Sequence, residues 1–398
     1  MDTDNCRMFT DTAGSSVVSA SVRILRVNPR ALLLVAVAGL SLLVHSDVVL
    51  AQSIQRTTDS LMANYAKSDG PGASLLVMHD GRVEYMKSYG MAEVETRIPV
   101  GAGTNFRLAS LSKQFTATAI MLLKIDGKLR YDDDITTLLP NLPAFAHGVT
   151  IRNLLNHTSG LPDYEDFVPD TQTTQVHDAD IPALIAHAAA PKFAAGTRYD
   201  YSNTGYGLLA LIVEHVSGQR YADFLRNRIF MPLAMTGTVA FEDGRSVVAQ
   251  RAYGHTIGQY GIRRTDQSNT SAVLGDGGIY SSVIDLAKWD RALEQHTLVS
   301  AVEQQLAWTA PSLSNGAKTD YGFGWFVDRD HGTMRLRHHG ESRGFTNGII
   351  RYPEKRLTVI ILTNRSGGAP WDIAQKIAEL YLDPSTGGAS AAWRPQLL

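Results

Sequence analysis

An α/β fold of the α+β kind is expected, in which an antiparallel sheet is flanked by helices and interrupted by an inserted helical domain. Strand-like segments cluster at both ends of the chain, and helical ones fill the middle. The 398 residues are too many for one small core and enough for two subdomains. The expected layout is a signal segment at 1–51 and a folded region at 52–398. Within the latter, the sheet part is drawn from about 52–125 and 276–398, and the helical part from about 126–275.

At the N-terminal end, Arg23, Arg26 and Arg30 precede an apolar run at 31–44, and Val49-Leu50-Ala51 follows it. This is the pattern of a secretory signal cut after Ala51, so the mature protein is expected to be secreted or periplasmic. The run is shorter than the roughly 20 residues of a membrane anchor. No stable membrane span is therefore expected after cleavage, an uncleaved anchor being the alternative. The stretch up to about Val22 is long for such a segment, which leaves room for a start downstream of Met1. The one cysteine, Cys6, would leave with the signal, which excludes a cysteine nucleophile, a thiolate metal site and a disulfide. With 37 basic and 39 acidic residues and a formal net charge of -2, nothing argues for nucleic acid as a partner.

From Gly72 the chain turns to strands: an apolar run at 73–78, a turn at His79-Asp80-Gly81-Arg82 and a second run at 83–88 make a hairpin. The stretch Phe106 to Thr116 then leads into an apolar segment that stops at Gly127. Its apolar positions spread around the helical wheel, so a buried helix is expected. Further helices are expected at 151–157, 181–189, 206–216, 221–229, 282–293 and 371–382, and further strands at 333–338, 346–352 and 357–362. There is no internal repeat and no low-complexity linker.

Ser110 and Lys113 are three apart, so on a helix the amine reaches the hydroxyl, and a charge at the start of a greasy helix is costly unless used. Ser110 would sit in the first turn, where free N–H groups favour developing negative charge. A nucleophilic serine needs a base, an oxyanion hole and a group that orients substrate. Tyr201 and Asn203, two apart on a polar turn, can face one cleft. His338-His339-Gly340-Glu341 ends a strand, where Gly340 permits close approach by substrate and an edge N–H can serve an oxyanion.

With these residues the chain resembles the serine hydrolases related to class C β-lactamases and penicillin-binding proteins, which include esterases and D-amino-acid peptidases. Besides Ser110-x-x-Lys113, Tyr201-x-Asn203 and His338-x-Gly340, the likeness covers Leu154-Leu155-Asn156-His157-Thr158-Ser159-Gly160-Leu161-Pro162. It also covers Gly275-Asp276-Gly277-Gly278-Ile279-Tyr280-Ser281 and Tyr321-Gly322-Phe323-Gly324-Trp325, in the family's order from about Ile54 to Tyr381. The resemblance implies a β-lactamase/transpeptidase-like fold and an acyl-enzyme on Ser110. Lys113 and Tyr201 would share the work of base and proton shuttle, and Asn203 would bind the acyl side chain. The N–H groups of Ser110 and Glu341 would form the oxyanion hole. No cofactor is implied, and the partner is a small-molecule or peptide substrate, peptidoglycan-derived material among the candidates. Lactamases of this family carry Lys where this chain has His338, a weaker carboxylate anchor at neutral pH. Esters or D-amino-acid amides are therefore the expected substrates. The alternatives are a β-lactamase and a penicillin-binding sensor that is acylated without turnover. Arg335, Arg337 or Arg343 could replace the missing cation, solvated strand residues being the plainer reading.

Two patterns are set aside. Gly340-Glu341-Ser342-Arg343-Gly344 has the form G-x-S-x-G, but a strand, not a helix, is expected after it. No metal-ligand spacing joins His331, His338 and His339, the last two pointing to opposite faces of a strand, and Asp132-Asp133-Asp134 reads as a solvated turn. His157 is expected to be a structural hydrogen-bonder, and Gly277 and Gly278 to allow close backbone packing.

Overall fold

The computed structural model describes residues 51–169 and 171–383; apart from Ala51, the expected signal segment lies outside the described residues. Six antiparallel strands form the main sheet: β1 (Ala73–His79), β2 (Arg82–Tyr89), β3 (Phe326–Asp330), β4 (Thr333–Ser342), β5 (Phe345–Tyr352) and β6 (Leu357–Thr363). Their spatial order is β3-β4-β5-β6-β1-β2, so the two ends of the chain meet where β6 pairs with β1. Tight turns at Asp80-Gly81, His331-Gly332 and Arg343-Gly344 close the hairpins. All these residues except Arg343 have positive φ, the backbone hand that matches strand twist.

Alternation along the central strands assigns two cores. Leu75, Val77, Val359 and Ile361 face a cluster with Ala374, Ile377 and Ala378 of the last helix, while Leu76, Ile360 and Leu362 face the larger cluster that holds Leu111, Phe115 and Ile120. Burial on both faces is why β6 reads as an unbroken apolar run rather than an alternating one.

The helices that matter for the site are α1 (Lys113–Ile125), α2 (Asn203–Ser217), α3 (Val283–Glu294) and α4 (Pro370–Leu382). On α1 every residue from Lys113 to Leu123 is buried, in line with its all-round apolar wheel. The helix expected at 221–229 is α-helical only over Tyr221–Leu225 and continues as a π-turn over Arg226–Phe230. That expected at 181–189 stops at Ile185. Strand β3 and a helix at Ala301–Ala307 had no clear signal: β3 reads Phe-Val-Asp-Arg-Asp, and its Asp328 is held by Arg335 and Arg337 of the neighbouring strand. Among the described residues no helix is long and apolar enough to cross a membrane.

Candidate active site

Ser110 follows a two-residue strand, Phe106–Arg107, that pairs with Ile279–Ser281. It stands in a 3-10 turn, Ala109–Ser112, rather than in the first turn of the α-helix, which begins at Lys113. Side chains three apart eclipse one another in a 3-10 turn, and Lys113 Nζ accordingly lies 3.2 Å from Ser110 Oγ. The turn is held from below. Asn347 of β5, fully buried, donates through Nδ2 to the carbonyls of Arg107 (2.9 Å) and Leu108 (3.2 Å). Gly340 has a tighter reason to be glycine than substrate approach: a Cβ there would stand 2.2 Å from the Leu108 carbonyl oxygen. The glycine lets β4 lie against the nucleophile's turn. Ala109 has φ +50°, a left-handed strain at the residue before the serine.

The Lys113 amine is inaccessible to solvent and has three partners: Ser110 Oγ, Asn203 Oδ1 at 2.8 Å and the Asp276 carbonyl at 3.1 Å. Two of these can only accept. A neutral amine that gives its two N–H groups to Asn203 and Asp276 therefore turns its lone pair toward Ser110 Oγ. Tyr201 meets Lys113 with its ring face, the Nζ lying 4.9 Å from the ring centroid. Among the described residues its hydroxyl makes no hydrogen bond to Ser110 or Lys113, so the shared base work expected of it has no bond behind it here.

His338 is placed differently from the expectation of a substrate-binding cation. It is 2 % exposed, and both ring nitrogens are used internally: Nδ1–H donates to the His339 carbonyl (2.6 Å), which leaves Nε2 to accept from the Tyr321 hydroxyl (2.9 Å). Burial, and then the Lys113 charge, hold its proton affinity well below the usual histidine range. His338 is thus a neutral wall behind Tyr201, and His339, next along the strand, points to the exposed face. His157 is a structural residue, as expected: it is buried, its Nδ1 accepts from the Ser202 N–H (3.1 Å), and its ring lies 4.2 Å from that of Tyr201.

Glu341 is opposite Thr346, whose carbonyl accepts from Thr363 Oγ1 (2.7 Å) and so points toward β6, away from β4. A pair that faces outward on one strand faces outward on the other, so the Glu341 N–H points to the free side of β4. That side is open because β3 ends opposite Arg337. The N–H is available to an oxyanion beside Ser110.

Ser110, Asn203 and Glu341 line one cleft of about 190 Å³, together with Arg343, a candidate cation in the sequence, Asp276 of the Gly275–Ser281 motif, and two residues the sequence did not single out, Arg107 and Glu165. Asp163 holds the start of α2 by accepting from the Asn203 N–H (2.8 Å), and Glu165 accepts from Asn203 Nδ2 (3.3 Å). The Glu165 carboxyl is raised above its ordinary value, first by desolvation and then by the Asp163 charge. Among the described residues no lysine or arginine forms an ion pair with it. Asp276, buried and bonded to the Tyr164 hydroxyl (3.0 Å), is raised to about 7 by burial, with Lys113 opposing. Among the described residues no group of three or more His, Cys, Asp or Glu is placed to hold a metal ion.

Asp276 has a consequence for stability. Its carboxyl titrates near 3.8 when unfolded and near 7 when folded, so between those values the folded protein keeps a proton that the unfolded chain has released. Stability from this group falls as pH rises from about 4 to about 7. Asp276→Asn, which keeps an acceptor for Tyr164, is expected to lessen the fall of the melting temperature over that window, the share of Asp178, also raised to about 7 by burial, remaining. An unchanged slope would contradict the assignment.

The profile of the family described as Beta-lactamase matches residues 54–381. Penicillin-binding protein 4* of Bacillus subtilis (strain 168) is 35% identical over 316 residues, 76% of this chain and 70% of that protein. A D-aminopeptidase of Gluconobacter oxydans (strain 621H) is 27% identical over 330 residues, 79% of this chain but 59% of the relative's length. Among solved structures, the D-amino acid amidase from Ochrobactrum anthropi SV3 complexed with L-phenylalanine amide matches with a TM-score of 0.70 and 26% identity, covering 84% of this chain and 99% of that one.

Proposed function

The chain belongs to the β-lactamase family, and from that premise we propose that it is a serine hydrolase that cleaves amides of D-amino acids bearing a free α-ammonium group. Ser110 Oγ attacks the acyl carbon and its proton passes to Lys113 Nζ, while the N–H groups of Ser110 and Glu341 hold the carbonyl oxygen as it gains charge. The C–N bond then breaks as the leaving nitrogen takes the proton from Lys113. Water releases the acid from Ser110 and returns the site to its starting state.

The observation that carries the choice of substrate is Glu165. Its carboxylate lines the cleft, bonded to the Asn203 amide that also holds Lys113, and among the described residues it forms no ion pair with a lysine or arginine. An α-ammonium group on the acyl half would satisfy it; an ester of a simple fatty acid would not. The D configuration is taken from what the aminopeptidase and amidase relatives are named for. The neutral, internally bonded His338 weighs against a β-lactam carboxylate held at that position.

The test compares D-alanine p-nitroanilide with its N-acetyl derivative, a short-chain aryl ester and a chromogenic cephalosporin. Acetylation is expected to lower kcat/KM roughly tenfold or more, the worth of one charged hydrogen bond. Glu165→Gln is expected to erase most of that difference. Equal turnover of the free and acetylated anilides would defeat the aminoacyl reading. Faster hydrolysis of the cephalosporin would make the protein a lactamase, and stable penicillin labelling without turnover of any substrate would make it a sensor.

A further inference from the structure

We infer that Asp178, which does not line the Ser110 cleft, is a positioning residue for proton transfer: it fixes the turn whose carbonyl directs the Lys113 amine. This rests on Lys113 acting as the base and is independent of which acyl group is cleaved.

The one-turn helix Leu274–Gly277 has no cap of its own, since Val273 before it makes no side-chain bond. The first N–H groups of a helix have no partner within it and need acceptors from elsewhere. Asp178 supplies two of them from a distant part of the chain. Its Oδ2 accepts from the Leu274 N–H at 2.8 Å and its Oδ1 from the Gly275 N–H at 3.0 Å. Two bonds to one carboxylate set the orientation of the turn as well as its place, and bonds to a charged acceptor are the stronger kind.

The turn in turn holds the base. Its Asp276 carbonyl accepts from Lys113 Nζ (3.1 Å), and its Gly275 carbonyl accepts from Thr116 Oγ1 (2.6 Å), further along α1. Gly275 is pressed against α2, where a Cβ would stand 2.2 Å from the Tyr206 carbonyl oxygen. Lys113 thus has one acceptor on α2, Asn203 Oδ1, and one on this turn. Asp163 anchors the first through the Asn203 N–H, and Asp178 anchors the second. With both in place, two N–H groups of the neutral amine are spent and its lone pair is left for Ser110 Oγ. If the turn drifts, the Asp276 carbonyl leaves reach, the freed N–H donates to Ser110 Oγ, and the lone pair no longer meets the hydroxyl proton.

The loop that leads into the turn is held without Asp178. The Val176 N–H donates to the Asn269 carbonyl (2.8 Å), and the Gln175 side chain bonds the Ser268 carbonyl (2.8 Å) and the Ala272 N–H (3.0 Å). Removing the Asp178 carboxylate therefore frees the turn and leaves the loop in place.

Asp178→Ala and Asp178→Asn are made in the full chain, each alone and together with Lys113→Met, and turnover is followed on D-alanine p-nitroanilide and on the short-chain aryl ester. Asp178→Ala is expected to lower kcat roughly tenfold or more, toward the hundredfold that a misplacement of about 1 Å costs, with KM within about twofold and by the same factor on both substrates. Asp178→Asn keeps one acceptor of the same shape, and its loss is expected to be smaller, roughly threefold or more. In the Lys113→Met background there is no amine to align, so either change is expected to alter the residual rate by less than about twofold, whereas a merely structural loss would carry over in full. A rise in KM in place of the fall in kcat, or the same loss with and without Lys113, overturns the inference. So does an unchanged kcat in Asp178→Ala, or in Asp178→Asn if the alanine variant does not fold. If the ester is turned over and the anilide is not, the aminoacyl reading is lost and the ester alone decides the role of Asp178; if neither is, both readings fall.

Discussion

Ser110→Ala is expected to lower kcat by roughly 10⁴-fold or more, the scale seen when a serine nucleophile is removed from a site whose other parts remain. Its hydroxyl lies in the cleft 3.2 Å from a buried amine, and its turn is tied to two sheet strands by Asn347 and by the close approach of Gly340. The loss should appear in acylation, with KM little changed, because the other cleft residues remain. Mass measurement after a slow substrate is added should find an acyl group on the unaltered protein and none on Ser110→Ala. Ser342, within the G-x-S-x-G pattern, is the competing serine. It lies at the end of β4 before a two-residue turn into another strand, and its buried hydroxyl has no hydrogen-bond partner and hence no base. Loss of activity in Ser342→Ala but not in Ser110→Ala would refute the assignment.

Lys113→Met is expected to cost roughly 10²- to 10⁴-fold in kcat, the usual worth of a positioned general base. Lys113→Arg should be about as inactive, since a guanidinium keeps the charge but does not give up its proton. The pair of variants separates proton acceptance from charge: recovery of activity by arginine would mean that the amine serves only as a cation. Folding should respond less than catalysis. Methionine leaves Asn203 Oδ1 and the Asp276 carbonyl without their donor, which destabilises, but it also removes a polar amine buried at full depth, which offsets part of the loss. Thermal melting measured beside single-turnover acylation distinguishes a dead site from an unfolded one.

Much of the arrangement was legible along the chain because it depends on near neighbours. The three-residue spacing of Ser110 and Lys113, the apolar wheel that buries α1 and the Asp80-Gly81 hairpin each follow from a few adjacent residues. His338 was not legible in the same way. Its place on a strand was readable, but its neutrality comes first from burial and then from the charge of Lys113, which is 225 positions away in the chain. The cleft residues Arg107 and Glu165 carried no local signal, since an acidic or basic side chain looks the same in the sequence whether it is solvated or faces a substrate.

The choice among Arg335, Arg337 and Arg343 shows where the division falls. Each was equally a candidate cation while only the order of residues was known. Pairing β3 beside β4 brings Asp328 to the first two and stops short of the third. The chain by itself determined the pairing of Ser110 with Lys113, the hairpins and the buried helix, because helical and strand periods and turn chemistry act over a few residues. Only the tertiary structure decided which charges are spent on one another and which are left facing Ser110, because charge pairing depends on distances of a few ångströms between segments that the chain order keeps far apart.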